Sequence, residues 1–395
     1  MQFDYVIVGG GIAGMYARWR LSTQYPDAKI LLMEKKSELG GRMKQRNFEG
    51  TTVQLGAGVI RIAKDKELLS LLSTIGIKPQ TYGSKGGFSF PNVNVQACID
   101  SLKRFESDAS GKTFEQWISE HLGPTTSKKF IDSMGYTDML EADALVTYRR
   151  YGLDDNDFQV AHRYGYIDGG WKTLIDTLHQ LGKGDVMLST QVSDIERMSD
   201  GSFVIHTNAK LYQASKLVLC TTRMFFQHLA KVSKSSEFQQ LSHRVLSTIG
   251  NTPFVRIYAK LDGPIDSSFP DIKVVDDSCK KLIPIDRKQG VLMVVYADSQ
   301  DALFWQIIME GNSKSKVRKE LTRRVRKHGL RNRRVKSFIG TFWKDGTHHF
   351  VPGSDDDLSH PLPGVYIGGE MIAMQQGWVN GAIENINSLI AKMVG

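Results

Sequence analysis

The first apolar segment of the chain runs into a glycine-rich turn and then into a helix-compatible segment. Residues 3–14 read FDYVIVGGGIAG, and residues 15–21 continue with helix-forming side chains. In such a turn Gly9 allows the tight bend, Gly11 lets the backbone approach a pyrophosphate, and Gly14 allows close packing of helix on strand. The helix N-terminus also directs N–H groups and a partial positive charge at the phosphates. The pattern predicts a dinucleotide-binding βαβ unit.

A second apolar strand narrows the choice of nucleotide. Residues 29–33 end in Glu34, which lies 20 residues after Gly14, about the interval at which a carboxylate accepts the ribose hydroxyls. Glu34 would repel a 2′-phosphate in a partly desolvated site, so the adjacent Lys35 and Lys36 do not indicate NADP. NAD and FAD both remain open on these residues.

Further motifs follow in order along almost the whole chain. With Glu34, they are GGR at 40–42, QLGAG at 54–58, DGGW at 168–171 with Leu174, GVYIGGE at 364–370 and GWVNGAIE at 377–384. In this order the sequence resembles the flavin-containing amine oxidase superfamily, which includes monoamine, polyamine and amino-acid oxidases. The resemblance implies an α/β fold in which a Rossmann-like FAD-binding domain is interleaved with an α+β substrate-binding domain.

The domain division follows the strand and glycine signals. We expect the discontinuous FAD-binding domain at residues 1–75, 164–250 and 336–395, and the substrate domain at 76–163 and 251–335.

The cofactor implied by the resemblance is FAD. We expect it to be noncovalent, because no cysteine lies near Thr341 or Trp378, where covalently flavinylated relatives carry theirs. The resemblance and the turn chemistry assign the following residues to the cofactor: Gly9, Gly11, Ile12, Ala13, Gly14, Glu34, Lys35, Gly41, Arg42, Gly56, Ala57, Gly58, Val59, Ile60, Val192, Gly369, Glu370, Trp378 and Val379.

The implied reaction is oxidation of an amine, with a hydride equivalent passing from the carbon that bears nitrogen to flavin N5 and O2 reduced to H2O2. Such chemistry needs a pocket that positions the C–H bond and excludes water. Trp378 matches one aromatic wall of the family's pocket, and Phe342 or Trp343 is expected to supply the second.

Two arginines are further candidates. Arg256 stands where relatives have a lysine that holds a water for reoxidation; as a bulkier, permanently charged fork, it either binds that water differently or captures a substrate carboxylate. Arg61 follows a segment that passes the flavin ring in relatives, and either binds an acidic substrate or forms a structural ion pair.

Other readings stay open at this point. The chain could be an amino-acid oxidase, a desaturase or isomerase of the same fold, or a flavoprotein scaffold. No metal site is expected, because His348 and His349 are neighbours on a strand and point to opposite faces.

Positive charge is concentrated in one segment. The net charge is +9, yet residues 314–336 alone contain twelve Lys or Arg and one acid, Glu320. Val317, Leu321 and Val325 form one apolar stripe of a helix that Gly329 would close. The segment is either a solvated face or a site for nucleic acid or another polyanion.

Location is inferred from what the sequence does not contain. The longest clean apolar run, residues 291–297, is far below the ~18 residues of a membrane span. The dinucleotide strand begins at Phe3, which leaves no room for a signal peptide. Cys98, Cys220 and Cys279 are widely spaced, as in proteins of reducing compartments. We therefore expect a cytoplasmic protein with no membrane segment.

Overall fold

A computed structural model describes residues 2–81, 88–89, 93–152, 164–354 and 357–394. The helices within these residues are α1 (Ile12–Gln24), α2 (Lys66–Thr74), α3 (Val95–Leu102), α4 (Phe114–Leu122), α5 (Pro124–Met134), α6 (Ala144–Gly152), α7 (Trp171–Leu181), α8 (Arg223–Val232), α9 (Ser236–Thr248), α10 (Ser299–Glu310), α11 (Lys314–Lys327) and α12 (Val379–Val394). Short 3₁₀ helices span Lys103–Asp108 and Glu370–Ile372.

The strands are β1 (Gln2–Val8), β2 (Ile30–Met33), β3 (Gln45–Phe48), β4 (Thr51–Gln54), β5 (Ile60–Arg61), β6 (Gln80–Thr81), β7 (Phe88–Ser89), β8 (Tyr164–Tyr166), β9 (Asp185–Met187), β10 (Val192–Arg197), β11 (Phe203–Thr207), β12 (Leu211–Leu219), β13 (Ile249–Leu261), β14 (Ile272–Val274), β15 (Lys281–Asp286), β16 (Val291–Asp298), β17 (Val335–Phe350) and β18 (Val365–Ile367).

The first large sheet carries the predicted dinucleotide unit. Its strands run in the order β10-β11-β12-β1-β2-β9, with β18 pairing β12, and β1, β2, β9, β12 and β18 are parallel. Successive residues of β1 enter different cores: Tyr5 and Ile7 pack with α1, α7 and α12, whereas Val6 and Val8 pack with α8 and α9. Layers on both faces explain why β2 is buried along its whole length.

The second large sheet has the order β17-β13-β16-β15-β14-β7 and is mainly antiparallel. Alternate residues of β13 again separate two environments. Val255 and Ile257 pack against α10 and α11, while Phe254 and Arg256 line a cavity on the other face. Strand β17 pairs with β13 and therefore belongs to this sheet. The domain division at residue 336 stays a prediction.

Helices α3 to α6 surround a separate cluster centred on the buried Trp117. Helix α4 begins at a capping box formed by Thr113 and Gln116, which satisfies two N–H groups at the helix start. Among the described residues, no helix combines the length and the apolar character needed to cross a membrane.

Candidate active site

A cavity of about 630 Å³ is lined by residues of both large sheets. On the first sheet its wall starts where parallel strands end: Val8 to Gly9 after β1, Met33 to Glu34 after β2, Cys220 after β12 and Gly368 after β18. Ligands of open α/β sheets bind at these carboxyl ends. The second sheet contributes side chains from β13 to β17.

The glycines of the first turn have different physical roles. A Cβ on Gly9, whose φ is +109°, would lie 2.3 Å from the Cys220 carbonyl oxygen, and one on Gly14 would lie 1.9 Å from the Gly9 oxygen. Both positions are therefore closed by the protein's own backbone. A Cβ on Gly11 would meet nothing within 4 Å, although Gly11 lines the cavity. The space in front of Gly11 fits a bound group such as a pyrophosphate at the start of α1.

Glu34 is held in the cavity wall by backbone donors. Its Oε2 accepts a hydrogen bond from Gly10 N at 2.7 Å, and its Oε1 accepts one from Lys36 N at 2.8 Å. Each carboxylate oxygen keeps a further acceptor site. Glu34 can therefore accept ribose hydroxyls without giving up its own anchoring.

Arg42 and Glu370 form the centre of a buried charge network. Arg42 Nη2 lies 2.7 Å from Glu370 Oε2, and Arg42 Nη1 donates to the Gly346 carbonyl at 3.0 Å. Glu370 also accepts from His348 Nδ1 at 2.7 Å and from Gly377 N at 2.7 Å. Burial alone would raise the pKa of Glu370, but Arg42 and His348 hold it well below the usual range. Arg42 thus has a counter-ion in the protein, in addition to any phosphate that it contacts.

Arg256 connects the predicted flavin region with the far part of the cavity. A Cβ on Gly58 would lie 2.9 Å from Arg256 Nη1, so the guanidinium lies directly on this loop. Nη1 donates to the Gln54 carbonyl at 3.0 Å, and Nη2 donates to the Tyr296 hydroxyl at 2.9 Å. The side chain is only 5% exposed.

Two tyrosines and a lysine continue the wall beyond Arg256. The rings of Tyr136 and Tyr296 meet edge to face with centroids 5.7 Å apart. Lys281 Nζ lies 3.0 Å from the centroid of the Tyr136 ring. Burial lowers the pKa of Lys281 from 10.5 to about 7, although Asp298 and Asp138 act in the opposite direction. We call Tyr136, Arg256, Lys281 and Tyr296 the substrate end of the cavity.

The aromatic residues that were expected to line the pocket all line the cavity, but they contact different neighbours. Trp378 lines the cavity and is backed by Arg61, whose Cζ lies 3.8 Å from the ring centroid. Trp343 also lines the cavity, but its Nε1 donates to the Leu55 carbonyl at 2.7 Å, and Lys36 Nζ lies 5.2 Å from its ring. Phe342 lines the cavity from the next position on β17.

Three predicted site residues lie outside the cavity wall. Gly14 packs α1 against the turn, as described above, and Ile60 is fully buried in the first core. Arg61 pairs with buried Asp65 at 2.6 Å and donates to Gln375 at 2.9 Å. Arg61 thus forms a structural ion pair behind Trp378, which is the second of its two expected roles, and does not line the cavity. The remaining predicted residues all line the cavity: Gly9, Gly11, Ile12, Ala13, Glu34, Lys35, Gly41, Arg42, Gly56, Ala57, Gly58, Val59, Val192, Arg256, Phe342, Trp343, Gly369, Glu370, Trp378 and Val379.

Sequence reasoning missed Lys281, Tyr136 and Tyr296. Tyr136 follows α5, Lys281 begins β15 and Tyr296 lies in β16, and no motif surrounds any of them. The available signal was a polar or aromatic side chain in a mainly apolar strand, Lys281 at the start of β15 and Tyr296 in β16, but it could not show which face met the cavity.

Comparisons with known proteins agree with this architecture. The family model described as flavin containing amine oxidoreductase matches residues 100–385, and that of an NAD(P)-binding Rossmann-like domain matches residues 7–74. A coproporphyrinogen III oxidase of Mycobacterium bovis is 32% identical over 84 residues, which are 21% of this chain and 18% of that protein. The curated relatives are matched over less than a fifth of their own length.

Solved structures resemble the whole chain. Putrescine oxidase bound to putrescine superposes with a TM-score of 0.78 at 15% identity, covering 100% of this chain and 99% of that one. Cyclohexylamine oxidase from Brevibacterium oxydans gives a TM-score of 0.75 at 15% identity, with 100% of both chains covered. These matches confirm the predicted α/β fold, with a Rossmann-like unit beside an amine-oxidase-type domain.

Proposed function

Because the chain belongs to the flavin containing amine oxidoreductase family, and is therefore a flavin-dependent oxidoreductase, we propose that it uses FAD to oxidise the C–N bond of a small amine, with O2 as electron acceptor. The observation that carries the proposal is one continuous cavity with a nucleotide-type cradle at one end and an aromatic, charged pocket at the other. When bound, the flavin supplies the acceptor for a hydride equivalent.

The residues present fit FAD. The open space at Gly11 suits the pyrophosphate, Glu34 offers acceptors for ribose hydroxyls, and Val192 lines the wall where relatives hold the adenine. Gly56 to Val59 and Gly369 to Val379 line the part of the cavity that leads to Arg256. One end of the cavity is thus lined by backbone and the other by side chains, and this arrangement supports FAD over a nicotinamide nucleotide.

Noncovalent attachment is part of the proposal. Among the cysteines, Cys98 and Cys279 are buried away from the cavity, while Cys220 lies beside Gly9 at the phosphate turn. Burial raises the pKa of the Cys220 thiol to about 12, so it is not a reactive thiolate. Acid precipitation should release the yellow cofactor into the supernatant as FAD. Flavin that stays on the denatured chain would contradict this part of the proposal.

The chain's own residues would position the substrate and keep out water. Trp378, Phe254 and Phe342 present apolar surface to the cavity, and Arg256 is fixed by its bonds to Gln54 and Tyr296. A rigid, dry pocket holds the reacting carbon in one orientation, which is the main contribution that a protein makes to such a transfer.

The decisive experiment is anaerobic mixing of purified holoprotein with a substrate panel. The panel should include putrescine, cyclohexylamine, amino acids and a porphyrinogen, because the similar proteins are named for substrates of several kinds. Bleaching of the oxidised flavin by an amine, followed by peroxide formation on admission of O2, is expected. Bleaching by the porphyrinogen alone would reject amine oxidation.

We further propose that the basic segment 314–336 binds a polyanion. Its apolar stripe is buried against the second sheet, and ten of its twelve cations are exposed. The acid Glu320 is already bonded to Arg323 and Arg324. The outward face of α11 therefore carries four exposed cations at helical spacing, Lys316, Lys319, Arg323 and Arg326, of which Arg323 is paired with Glu320.

This second proposal is tested by fluorescence anisotropy with a labelled single-stranded oligonucleotide. Affinity should fall steeply with salt and be lost when the four outward residues are replaced by Gln. A matched control replaces four exposed lysines elsewhere, Lys29, Lys183, Lys210 and Lys234, and changes the net charge equally. Equal loss of oligonucleotide affinity in both variants would show that binding depends on the net charge alone.

The cytoplasmic location expected from the cysteines stays a prediction.

A further inference from the structure

The substrate end contains a buried lysine for which the described residues supply no hydrogen-bond acceptor and no counter-ion. Lys281 is 7% exposed and lines the cavity. Its Nζ lies over the Tyr136 ring, and among the residues that the structure describes it forms neither a hydrogen bond nor an ion pair. Gly135 makes room for it, because a Cβ there would lie 2.7 Å from Lys281 Cε. An ammonium group in this position has lost water without gaining an acceptor.

Among the described residues, Arg256 also has no counter-ion. Its described acceptors are the Gln54 carbonyl and the Tyr296 hydroxyl, both uncharged. Its Nε is buried and has no acceptor within the described ranges. A buried guanidinium usually pairs with a carboxylate or phosphate, often through two parallel bonds, and here that partner is missing from the described residues.

The two cations flank one ring. Arg256 Cζ lies 4.4 Å and Lys281 Nζ lies 5.4 Å from the centroid of Tyr296. The Tyr136 hydroxyl lies 3.4 Å from that of Tyr296, so hydroxyl donors stand between the charges. The geometry is that of a small polar pocket rather than of two unrelated basic residues.

Nearby acids compensate this charge only in part. Asp138 lines the cavity but is also engaged by Thr347 Oγ1 at 3.3 Å. Asp298 lies outside the cavity wall and accepts from Thr137 N at 3.0 Å, and burial raises its pKa to about 7. Below about pH 7, where Lys281 is charged and Asp298 is largely protonated, the substrate end therefore keeps a net positive charge.

We propose that Arg256 and Lys281 form an anion-binding subsite that holds a carboxylate of the substrate. The substrate class is then an amine that also bears a carboxylate, which rests on the proposed amine oxidation. A carboxylate supplies the acceptors that Arg256 and Lys281 lack, and the hydroxyls of Tyr136 and Tyr296 can donate to it. A second ammonium, as in a diamine, would be repelled by both cations.

Lys281 makes the subsite sensitive to pH. Above its pKa of about 7 the amine is largely neutral, so binding of a carboxylate requires uptake of a proton. The charged and titratable groups around it are Asp138, Asp298, Arg256, Tyr136 and Tyr296. Affinity for a carboxylate should fall by up to about tenfold per pH unit between pH 7 and 9.

The test is isothermal titration of the holoprotein with three ligands of one shape: benzoate, neutral benzamide and cationic benzylamine. At pH 6.5 benzoate should bind at least about tenfold tighter than benzamide, the scale of one charge-assisted hydrogen bond. Lys281→Met should remove most of this preference and its pH dependence. Lys288→Met is the matched control, because Lys288 is an exposed lysine at the turn after β15.

The outcomes separate this inference from the proposed function. Equal binding of benzoate and benzamide, or an unchanged benzoate preference in Lys281→Met, would overturn the subsite even if amines bleach the flavin. A benzoate preference that depends on Lys281 would support the subsite even if no amine bleaches it. Retention of flavin and of far-ultraviolet circular dichroism by Lys281→Met shows that a lost preference is not a lost fold.

Discussion

The two ends of the cavity are built from different parts of the polypeptide. The nucleotide end consists mainly of backbone and glycine, in the segments 8–14, 34–36 and 40–42. The substrate end consists of side chains from the segment after α5 and from β13, β15 and β16, which are far apart in sequence. A phosphate cradle needs short, close backbone, whereas recognition of a substrate needs chosen functional groups. Substitutions at the substrate end can therefore change selectivity without altering the cradle.

A substitution that removes a buried charge at the substrate end is expected to stabilise the fold. The lysine pKa is 10.5 before burial and about 7 in the fold. Between these values the unfolded chain binds the extra proton, so the unfolding free energy rises with pH, and the full cost applies below pH 7. Lys281→Met should stabilise the protein by up to about 5 kcal/mol below pH 7, with little difference above pH 10.5. Urea unfolding at several pH values measures this, and a destabilised variant at pH 6 would contradict it.

At the nucleotide end, one pair of glycines separates ligand binding from folding. A methyl on Gly11 points into open space at an ordinary φ of −76°, whereas one on Gly14 meets backbone. Gly11→Ala should leave the unfolding free energy of the apoprotein within about 0.5 kcal/mol and weaken FAD by roughly 3 kcal/mol. Gly14→Ala should instead unfold more readily. Flavin titration and urea unfolding of both variants measure these two quantities. Normal FAD affinity in Gly11→Ala would show that the pyrophosphate does not bind at that turn.

The nucleotide end of the cavity could be predicted from the sequence, whereas the substrate end could not. The turn at residues 9–14 and the carboxylate of Glu34 are local patterns whose chemistry requires those residue types, and the structure brings them together at one cavity. The substrate end escaped prediction because Tyr136, Lys281 and Tyr296 meet only where the chain after α5 contacts the second sheet. The local sequence of Arg61 left a substrate ligand and a structural ion pair both open, because nothing in it showed that Asp65, four residues later, would bind the guanidinium.

Replacement of Trp378 tests whether its ring positions the substrate for flavin reduction or only packs the core. Its ring lines the cavity on one side and contacts Arg61 on the other. Trp378→Ala should slow reduction of the bound flavin by about 100-fold, the scale of a substrate misplaced by 1 Å, with a much smaller loss of FAD. Rapid anaerobic mixing gives the first quantity, and the ratio of flavin to protein absorbance gives the second. Loss of flavin and solubility without a kinetic defect in the remainder would indicate packing.

Arg256 lies at the junction of the two ends, and Arg256→Lys is expected to have the smallest effect. Lysine keeps the charge but cannot bond to Gln54 and Tyr296 at once through a planar fork. If Arg256 binds substrate carboxylate, an acidic substrate should bind about tenfold more weakly, while reoxidation by O2 stays within about twofold, since no carboxylate is involved in that step. Stopped-flow measurement of both half-reactions checks this. Faster reoxidation with unchanged affinity would indicate that Arg256 acts in the reaction of the reduced flavin with O2. Unchanged reoxidation and unchanged affinity would indicate that Arg256 lies outside the active site.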